Sequence, residues 1–410
     1  MALYGMNYLR RKLDQKRVRV KARYELYEQK RTIVELGISL PNIARVAAYH
    51  VRLGWCTKAV DVLADRLVFR GFSNDGFDME TIYRMNNGDV LFDSAILSAL
   101  ITSCSFLFLS RGDDGYPRIQ AIDGGNATGI MDPLTQMLTE GFAVLERDQY
   151  GKALREAYFV PGKTYYYTAG QLTSIETTPS PFALLVPVVH RPDPKRPFGH
   201  SRITRACESQ INEAMNILKR AAISGEFYSF PQRYALGTDP DREEPLDAWK
   251  AAMSAMLEFT KDEEGDKPTV GEFKQQSMGP YVEQFRMAAS NFAGETGLTL
   301  DDLGFPSENP ASAEAIKASH ENLRLMAEKA QRSFGISFLN AGYLAACIRD
   351  KYPYLRRQVA ATIPKWEPAF RPDAAALSSI GDGAIKINQA VPGYIGAGNL
   401  QDLTGIPAEA

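Results

Sequence analysis

Residues 295–335 read ETGLTLDDLGFPSENPASAEAIKASHENLRLMAEKAQRSFG, the most informative part of the sequence about the architecture. Its first part holds four residues that stop or bend a helix, namely Gly297, Gly304, Pro306 and Pro310. Its second part has the pattern of a helix with Asn309 as N-cap and Pro310 at the first helical position. The apolar stripe of that helix comprises Ile316, Leu323, Ala327, Ala330 and Phe334. The stretch therefore predicts a loop over residues 298–310 and a long helix after it.

Two more long helices are predicted before this loop, one on each side of an acidic segment. The first begins near Ser201 as N-cap. Its apolar face comprises Ile203, Cys207, Ile211, Ala214, Leu218 and Ala221. The second begins after Gly279-Pro280, and its apolar face comprises Tyr281, Phe285, Ala288 and Phe292. The segment Asp239–Glu272 between them holds eleven acidic and four basic residues, a net charge of −7. Such a hairpin has too little apolar surface to be stable alone, which favours side-by-side packing of copies in a ring.

The N-terminal half combines helices with strands. Residues 55–72 read WCTKAVDVLADRLVFRGF, a helical pattern in which Gly71 is the expected stop. The apolar stripe of this helix comprises Val60, Leu63, Ala64 and Leu67. From about Ser110 to His190, short runs rich in β-branched and aromatic residues alternate with turn signals, which predicts a mixed or antiparallel sheet. The sequence therefore predicts an α+β protein.

Composition and charge exclude several classes of protein. The chain has 410 residues, of which 45% are apolar and 23% charged, as is typical of globular proteins. A net charge of −2 excludes a nucleic-acid binder that is basic over its whole surface. The most apolar run, Ala95–Leu109, has 15 residues, whereas a membrane span needs about 20. We therefore expect this run to be a buried element, and we expect no membrane partner.

One local excess of positive charge lies near the N-terminus. Residues 10–31 hold ten basic and three acidic residues, a net charge of +7. The pattern is typical of a helix with a solvated charged face, or of one that contacts a polyanion or an acidic neighbouring subunit. In the second case, deletion of the stretch would weaken assembly and leave the monomer folded.

The sequence gives little support for catalysis. None of the four histidines lies in an HExxH pattern. The glycine-rich Gly124–Gly129 lacks the lysine with which a P-loop holds phosphate. The pairs Asp113-Asp114 and Asp301-Asp302 could bind a divalent ion, but neighbouring carboxylates in loops are more often solvated. We expect no catalytic residue, no metal site and no cofactor.

Several stretches, taken in order, resemble the portal proteins of tailed bacteriophages that carry a stem helix on each side of a clip. Residues 55–72 resemble an early family segment that places a Trp before a helix ending in Arg-Leu and Gly-Phe. Residues 196–237 resemble the first stem helix and its entry into the clip, and residues 295–335 resemble the tunnel loop and its following helix. The pieces that carry this last resemblance are Glu295-Thr296-Gly297, Leu303-Gly304, Asn309-Pro310, Ser312-Ala313-Glu314-Ala315-Ile316 and Phe334-Gly335. The resemblance is weak before about residue 36 and after about residue 370.

The resemblance implies a portal fold with a mixed α/β wing, two long stem helices flanking a small α/β clip, a tunnel loop, a long helix and a short helical crown-like C-terminal region. The implied boundaries are 1–199 for the wing, 200–229 for the first stem helix, 230–278 for the clip, 279–297 for the second stem helix, 298–310 for the tunnel loop, 311–369 for the long helix and its return to the wing, and 370–410 for the crown-like region.

The resemblance also implies a homo-oligomeric ring, usually of twelve subunits, at one capsid vertex. Double-stranded DNA passes through such a ring non-specifically during packaging and ejection. The large terminase subunit docks on the clip, a head-tail adaptor protein replaces it later, and the major capsid or scaffold protein surrounds the ring. The protein would lie in the virion, and in the host cytoplasm during assembly.

Two sets of residues follow from this placement. The predicted DNA channel and tunnel loop comprises Thr299, Asp301, Asp302, Ser307, Glu308, Asn309 and Lys317. The predicted clip docking surface comprises Asp262, Glu263, Glu264 and Asp266. Two alternatives stay open at this point: another structural head protein, such as a minor capsid component, or an α+β enzyme that uses a carboxylate pair.

Overall fold

A computed structural model describes residues 3–31, 51–229, 233–236, 269–272, 277–306 and 313–406. The chain divides into two compact units. Unit 1 comprises Met1–Lys30, Gly54–Glu208 and Gly294–Ala410, and unit 2 comprises Arg31–Leu53 and Ser209–Ala293. Both helices and strands are abundant, which confirms the predicted α+β class.

The described chain contains the following α-helices and strands, each type given in chain order. The helices are α1 (Met6–Tyr27), α2 (Trp55–Ala64), α3 (Met79–Met85), α4 (Gly88–Thr102), α5 (Arg205–Ser229), α6 (Gly279–Thr296), α7 (Ala313–Ser319), α8 (Glu321–Asp350), α9 (Ala374–Ala390) and α10 (Ala397–Thr404). The strands are β1 (Phe69–Ser73), β2 (Cys104–Arg111), β3 (Pro117–Ile122), β4 (Ala127–Met131), β5 (Leu138–Arg147), β6 (Ala153–Val160), β7 (Lys163–Thr168), β8 (Gln171–Thr177), β9 (Leu185–Val189), β10 (Arg233–Leu236), β11 (Thr269–Glu272) and β12 (Ile363–Trp366).

The strands of unit 1 form antiparallel sheets. Strands β4 to β8 make a meander in chain order, and a second sheet has the order β3-β2-β9. Strands β1 and β12 pair although they are distant in sequence. The antiparallel alternative that the sequence allowed for residues 110–190 is therefore correct.

Helix α8 runs through the core of unit 1. Nearly every residue from Phe334 to Ile348 is buried, so this half of the helix is apolar and enclosed all round. Phe338 contacts the aromatic rings of Phe69 and Phe92 at centroid distances of 5.2 and 4.3 Å. A Cβ at Gly342 would lie 2.7 Å from Met79 Sδ, so glycine is required where α3 crosses α8 closely.

Helix α1 is an integral part of unit 1. Leu9 and Leu13 pack against Phe142 and Val144 of the β4–β8 sheet, and both leucines are buried. The expectation that residues 10–31 could be removed from a folded monomer is therefore wrong, because their removal would expose part of the core.

Three local predictions in the N-terminal half need correction. Helix α2 ends at Ala64, well before the predicted stop at Gly71. Gly71 instead has φ +123° at an irregularity of β1, where that strand pairs with β12. The single buried element predicted over Ala95–Leu109 is two elements, the end of α4 and the strand β2.

Two features of the long helices also differ from prediction. Helix α5 begins at Arg205, and Thr204 Oγ1 accepts the hydrogen bond from the Cys207 N–H, so Thr204 replaces Ser201 as the N-cap. The helix predicted after the loop is interrupted at His320, which separates α7 from α8. Ile316 on α7 is half exposed and does not join the buried stripe of α8.

Unit 2 contains most of α5 and α6. The hydroxyls of Ser224 and Tyr281 form a hydrogen bond of 2.9 Å between the two helices. Strands β10 and β11 pair antiparallel in this unit. The predicted N-cap Asn309 lies outside the described residues.

Candidate DNA-channel loop and its anchor

The candidate channel loop begins where α6 is stopped by a glycine. Helix α6 ends at Thr296, and Gly297 follows with φ +67°, a conformation that glycine adopts without a steric penalty. A Cβ at Gly297 would lie 3.1 Å from Met326 Cε of α8. The position therefore favours glycine for its backbone angle, with the Met326 side chain close by, and the chain leaves the helix in a fixed direction.

The next residues form a compact turn around one carboxylate. Asp302 Oδ2 accepts hydrogen bonds of 2.9 Å from both the Thr299 N–H and the Thr299 hydroxyl. The Asp302 N–H donates back to Thr299 Oγ1 at 3.2 Å. The 3₁₀-helix Asp301–Leu303 follows, and Gly304 ends it with φ +90°. This start of the loop is therefore ordered by its own side chains.

The buried Arg202 anchors the start of the loop. Its guanidinium donates to the Thr296 carbonyl oxygen at the end of α6, to the Ala59 carbonyl oxygen of α2 at 3.1 Å, and to Met326 Sδ of α8 at 3.0 Å. Arg202 is only 5% exposed, and this burial lowers its pKa to about 10. One side chain thus ties three helices together at the point where the loop leaves.

A second contact supports the same place from the surface. The Thr204 hydroxyl, which caps α5, donates to Glu295 Oε1 at 2.8 Å. The buried His190 supports the backbone next to Arg202, because its Nδ1 donates to the His200 carbonyl oxygen at 2.7 Å. Burial lowers the pKa of His190 to about 3, so this imidazole is neutral and structural.

The structure brings only part of the predicted channel set together. Thr299, Asp301 and Asp302 lie on the turn. Asp301 is exposed, and the Asp302 carboxylate accepts the hydrogen bonds from Thr299 described above. Lys317 lies on α7, and its Nζ is 3.1 Å from Asp373 Oδ2, at the N-cap of α9. Ser307, Glu308 and Asn309 lie outside the described residues, as do Asp262, Glu263, Glu264 and Asp266 of the predicted docking surface.

Sequence reasoning missed Arg202. It lies in a stretch already rich in arginine, and its partners Ala59, Thr296 and Met326 are far away in the chain. The only available signal was its position directly before the first long helix, which does not distinguish a buried from an exposed arginine.

The basic stretch at residues 10–31 also differs from a solvated charged face. Lys12 Nζ donates to the Gly129 carbonyl oxygen at 2.8 Å, and Arg23 donates to the Thr102 carbonyl oxygen at 2.8 Å. Arg10 forms a salt bridge of 2.7 Å with the buried Glu156. Much of the positive charge therefore attaches α1 to its own unit.

The described residues hold no group of three or more His, Cys, Asp or Glu side chains placed to bind a metal ion. Within the same ranges, no helix combines the length and the apolar character that a membrane span requires.

Comparison with known proteins identifies the family. Residues 7–378 match the family model "Phage portal protein, SPP1 Gp6-like". The chain is 28% identical to the portal protein of Mycobacterium phage D29 over 346 residues, which covers 78% of this chain and 69% of that protein. It is 27% identical to the portal protein of Mycobacterium phage L5 over 336 residues, which covers 75% of this chain and 67% of that protein.

Solved structures of gene transfer agent particles are also similar. A chain in the virion of a native particle aligns with a TM-score of 0.45 and 13% identity, covering 87% of this chain and 90% of that one. A chain in the neck of a native particle computed with C12 symmetry gives a TM-score of 0.42 at the same coverage.

The chain belongs to the SPP1 Gp6-like family of phage portal proteins. It is therefore a structural component of the virion with a portal function in DNA packaging, and it is not an enzyme. This confirms the resemblance and the function predicted from the sequence, and it removes the carboxylate-dependent enzyme and the other head protein as alternatives.

Proposed function

We propose that twelve copies of this chain form a ring at one capsid vertex and that double-stranded DNA enters and leaves through its centre. Family membership over residues 7–378 supports the portal function, and a neck computed with C12 symmetry contains a similar chain. The proposed subdomains are those of the sequence analysis: wing, stem, clip, tunnel loop and crown-like region, with the same boundaries.

The loop at 298–310 lines the narrowest part of the channel in this proposal. The observation that carries it is the geometry at the start of the loop: Gly297 and Arg202 fix the exit from α6, and Asp301 is presented on an exposed turn. Each phosphate that a protein neutralises strengthens DNA binding and makes it more salt-dependent. Carboxylates at a constriction do the opposite, and they keep the contact with moving DNA weak.

The clip, residues 230–278, is the proposed docking surface for the large terminase subunit and later for the head-tail adaptor. Its net charge of −7 over Asp239–Glu272 would form an acidic collar when repeated around a ring. Such a collar would steer a basic partner at low salt. The major capsid or scaffold protein would contact the wing.

Replacement of loop carboxylates by lysine tests the proposed channel. Asp301→Lys with Glu308→Lys reverses charge and keeps both residues that form the Thr299–Asp302 hydrogen bonds. We expect normal rings and virion incorporation, but slower packaging, because lysine would hold DNA phosphates. The measurement is the length of DNA packaged against time in purified procapsids.

The matched control is Glu283→Lys with Asp382→Lys, two exposed carboxylates on α6 and α9 outside the loop. It makes the same change in charge and is expected to leave packaging unchanged. Normal packaging by the loop variant would show that the loop does not face the DNA, and the family assignment would still stand.

A further inference from the structure

A cavity in unit 1 is lined by an unusual number of arginines. Its volume is about 540 Å³, within the range of small-ligand sites. The arginines are Arg19, Arg23, Arg191, Arg196 and Arg205. They come from three separate places: helix α1, the segment after β9 and the first residue of α5. The tertiary fold, rather than a local run of basic sequence, therefore gathers them.

The positive charge of the cavity is only partly compensated. Among the lining residues that the structure describes, two are acidic, Glu208 and Glu295, so the five arginines leave a net charge of +3 in this described part of the lining. In the part of the chain that the structure describes, Arg19, Arg191 and Arg205 form no salt bridge. Desolvation is the largest cause that lowers the pKa of Arg23; the charges of Arg19 and Arg196 lower it as well, and that of Glu208 raises it. The arginines near Arg23 therefore repel it in part, and a bound anion would reduce this repulsion.

The cavity also lies against the N-terminus of a long helix. Ile203, Thr204 and Ala206 line it together with Arg205, so the first turn of α5 borders the space. The first N–H groups of a helix have no intrahelical partners, and the helix dipole adds partial positive charge there. Among the hydrogen bonds that the structure describes here, the Cys207 N–H donates to Thr204 Oγ1 and the Glu208 N–H donates to the Thr204 carbonyl oxygen, so the N–H groups of Arg205 and Ala206 are the ones that a ligand could use.

These features favour phosphate over a single carboxylate. Guanidinium groups form paired hydrogen bonds with phosphate oxygens. Five guanidinium groups offer more donors and more positive charge than a single carboxylate can use. The net charge of +3 suits an anion with several charges. We propose that this cavity is a binding site for phosphate groups, taken either from the DNA backbone or from a free polyphosphate anion. The cavity shares Thr204 and Glu295 with the support of the loop, but no residue of 298–310 is among its described lining, so failure of this proposal would leave the proposed channel untouched.

Binding of two probes to the full chain tests this site. Pyrophosphate is measured by titration calorimetry, and a short DNA duplex is measured by fluorescence anisotropy over a series of salt concentrations. The variant is Arg19→Gln, Arg196→Gln and Arg205→Gln, which removes three exposed cavity arginines. The control is Arg11→Gln, Arg17→Gln and Arg357→Gln, three exposed arginines that do not line the cavity.

We expect the cavity variant to bind its ligand at least about tenfold more weakly, and the control to stay within about twofold. If DNA is the source, the slope of log affinity against log salt falls by roughly 0.9 for each lost phosphate contact, and the control changes less. If a free anion is the source, pyrophosphate binding is lost and DNA binding is unchanged. Arg196→Gln alone, on an exposed turn, serves as a second variant if the triple variant does not fold.

Three results would overturn the proposal. Wild-type protein could bind neither probe, or the cavity and control variants could weaken binding equally, which would indicate general electrostatic attraction. In the third result, the wild type binds no phosphate and the cavity variant fails to assemble into rings. That result would indicate that an acidic side chain of a neighbouring copy occupies the cavity.

Discussion

Arg202 shows how one residue can anchor the start of a loop. A buried guanidinium carries a large desolvation penalty, and here its hydrogen bonds go to carbonyl oxygens and a thioether, with no carboxylate among the described contacts. The lowered pKa, about 10, reflects that incomplete compensation. The penalty is offset in part because this one side chain hydrogen-bonds to Ala59, Thr296 and Met326 at once.

Arg202→Lys should therefore destabilise the protein, although the charge is kept. A lysine ammonium is a point donor and cannot reproduce the planar contacts to three helices, while its charge still has to be buried. We expect the free energy of unfolding in urea to fall by about 2 kcal/mol, with faster amide hydrogen exchange at residues 298–303. The exposed Arg205→Lys is the control and should change neither quantity. Unchanged exchange in the loop for Arg202→Lys would show that this residue is not the anchor.

At the scale of elements, sequence patterns predicted what depends on local chemistry. The glycine and proline positions predicted the end of α6 and the loop after it, and apolar spacing predicted the buried face of α8. The patterns failed where contacts with residues distant in sequence determine the local structure. Gly71 resembled a helix stop, but pairing with β12 makes that segment a strand. Ser201 and Thr204 are equally good N-caps by composition, and only packing selects Thr204.

The packing of helix α1 against the sheet can be tested by substitution. Leu13 is 1% exposed and packs against the sheet, so Leu13→Ala would leave a cavity between them. We expect the free energy of unfolding to fall by about 2–5 kcal/mol. Val18→Ala on the same helix, where Val18 is 73% exposed, should change it by less than about 0.5 kcal/mol. Equal, small effects from both variants would mean that α1 is a detachable arm after all.

At the scale of the whole molecule, the sequence led to the family through an ordered set of short motifs, and the family model over residues 7–378 confirms it. The arginine cavity could not be predicted in this way. Its side chains are scattered from Arg19 to Arg205, and only the tertiary fold brings them to one place. The basic residues of α1 can be recognised in the sequence. The sequence does not show which of them contact their own unit and which line the cavity.

The central claim is that copies of this chain surround the DNA with the loop after α6 at the constriction. A cryo-electron microscopy reconstruction of the protein assembled in virions tests it most directly. We expect a twelve-fold ring with an open centre. Residues 298–306 should face the DNA, and the acidic clip should lie at the end of the ring where partners dock. A ring in which residues 298–306 lie on the outer surface, away from the DNA, would contradict it.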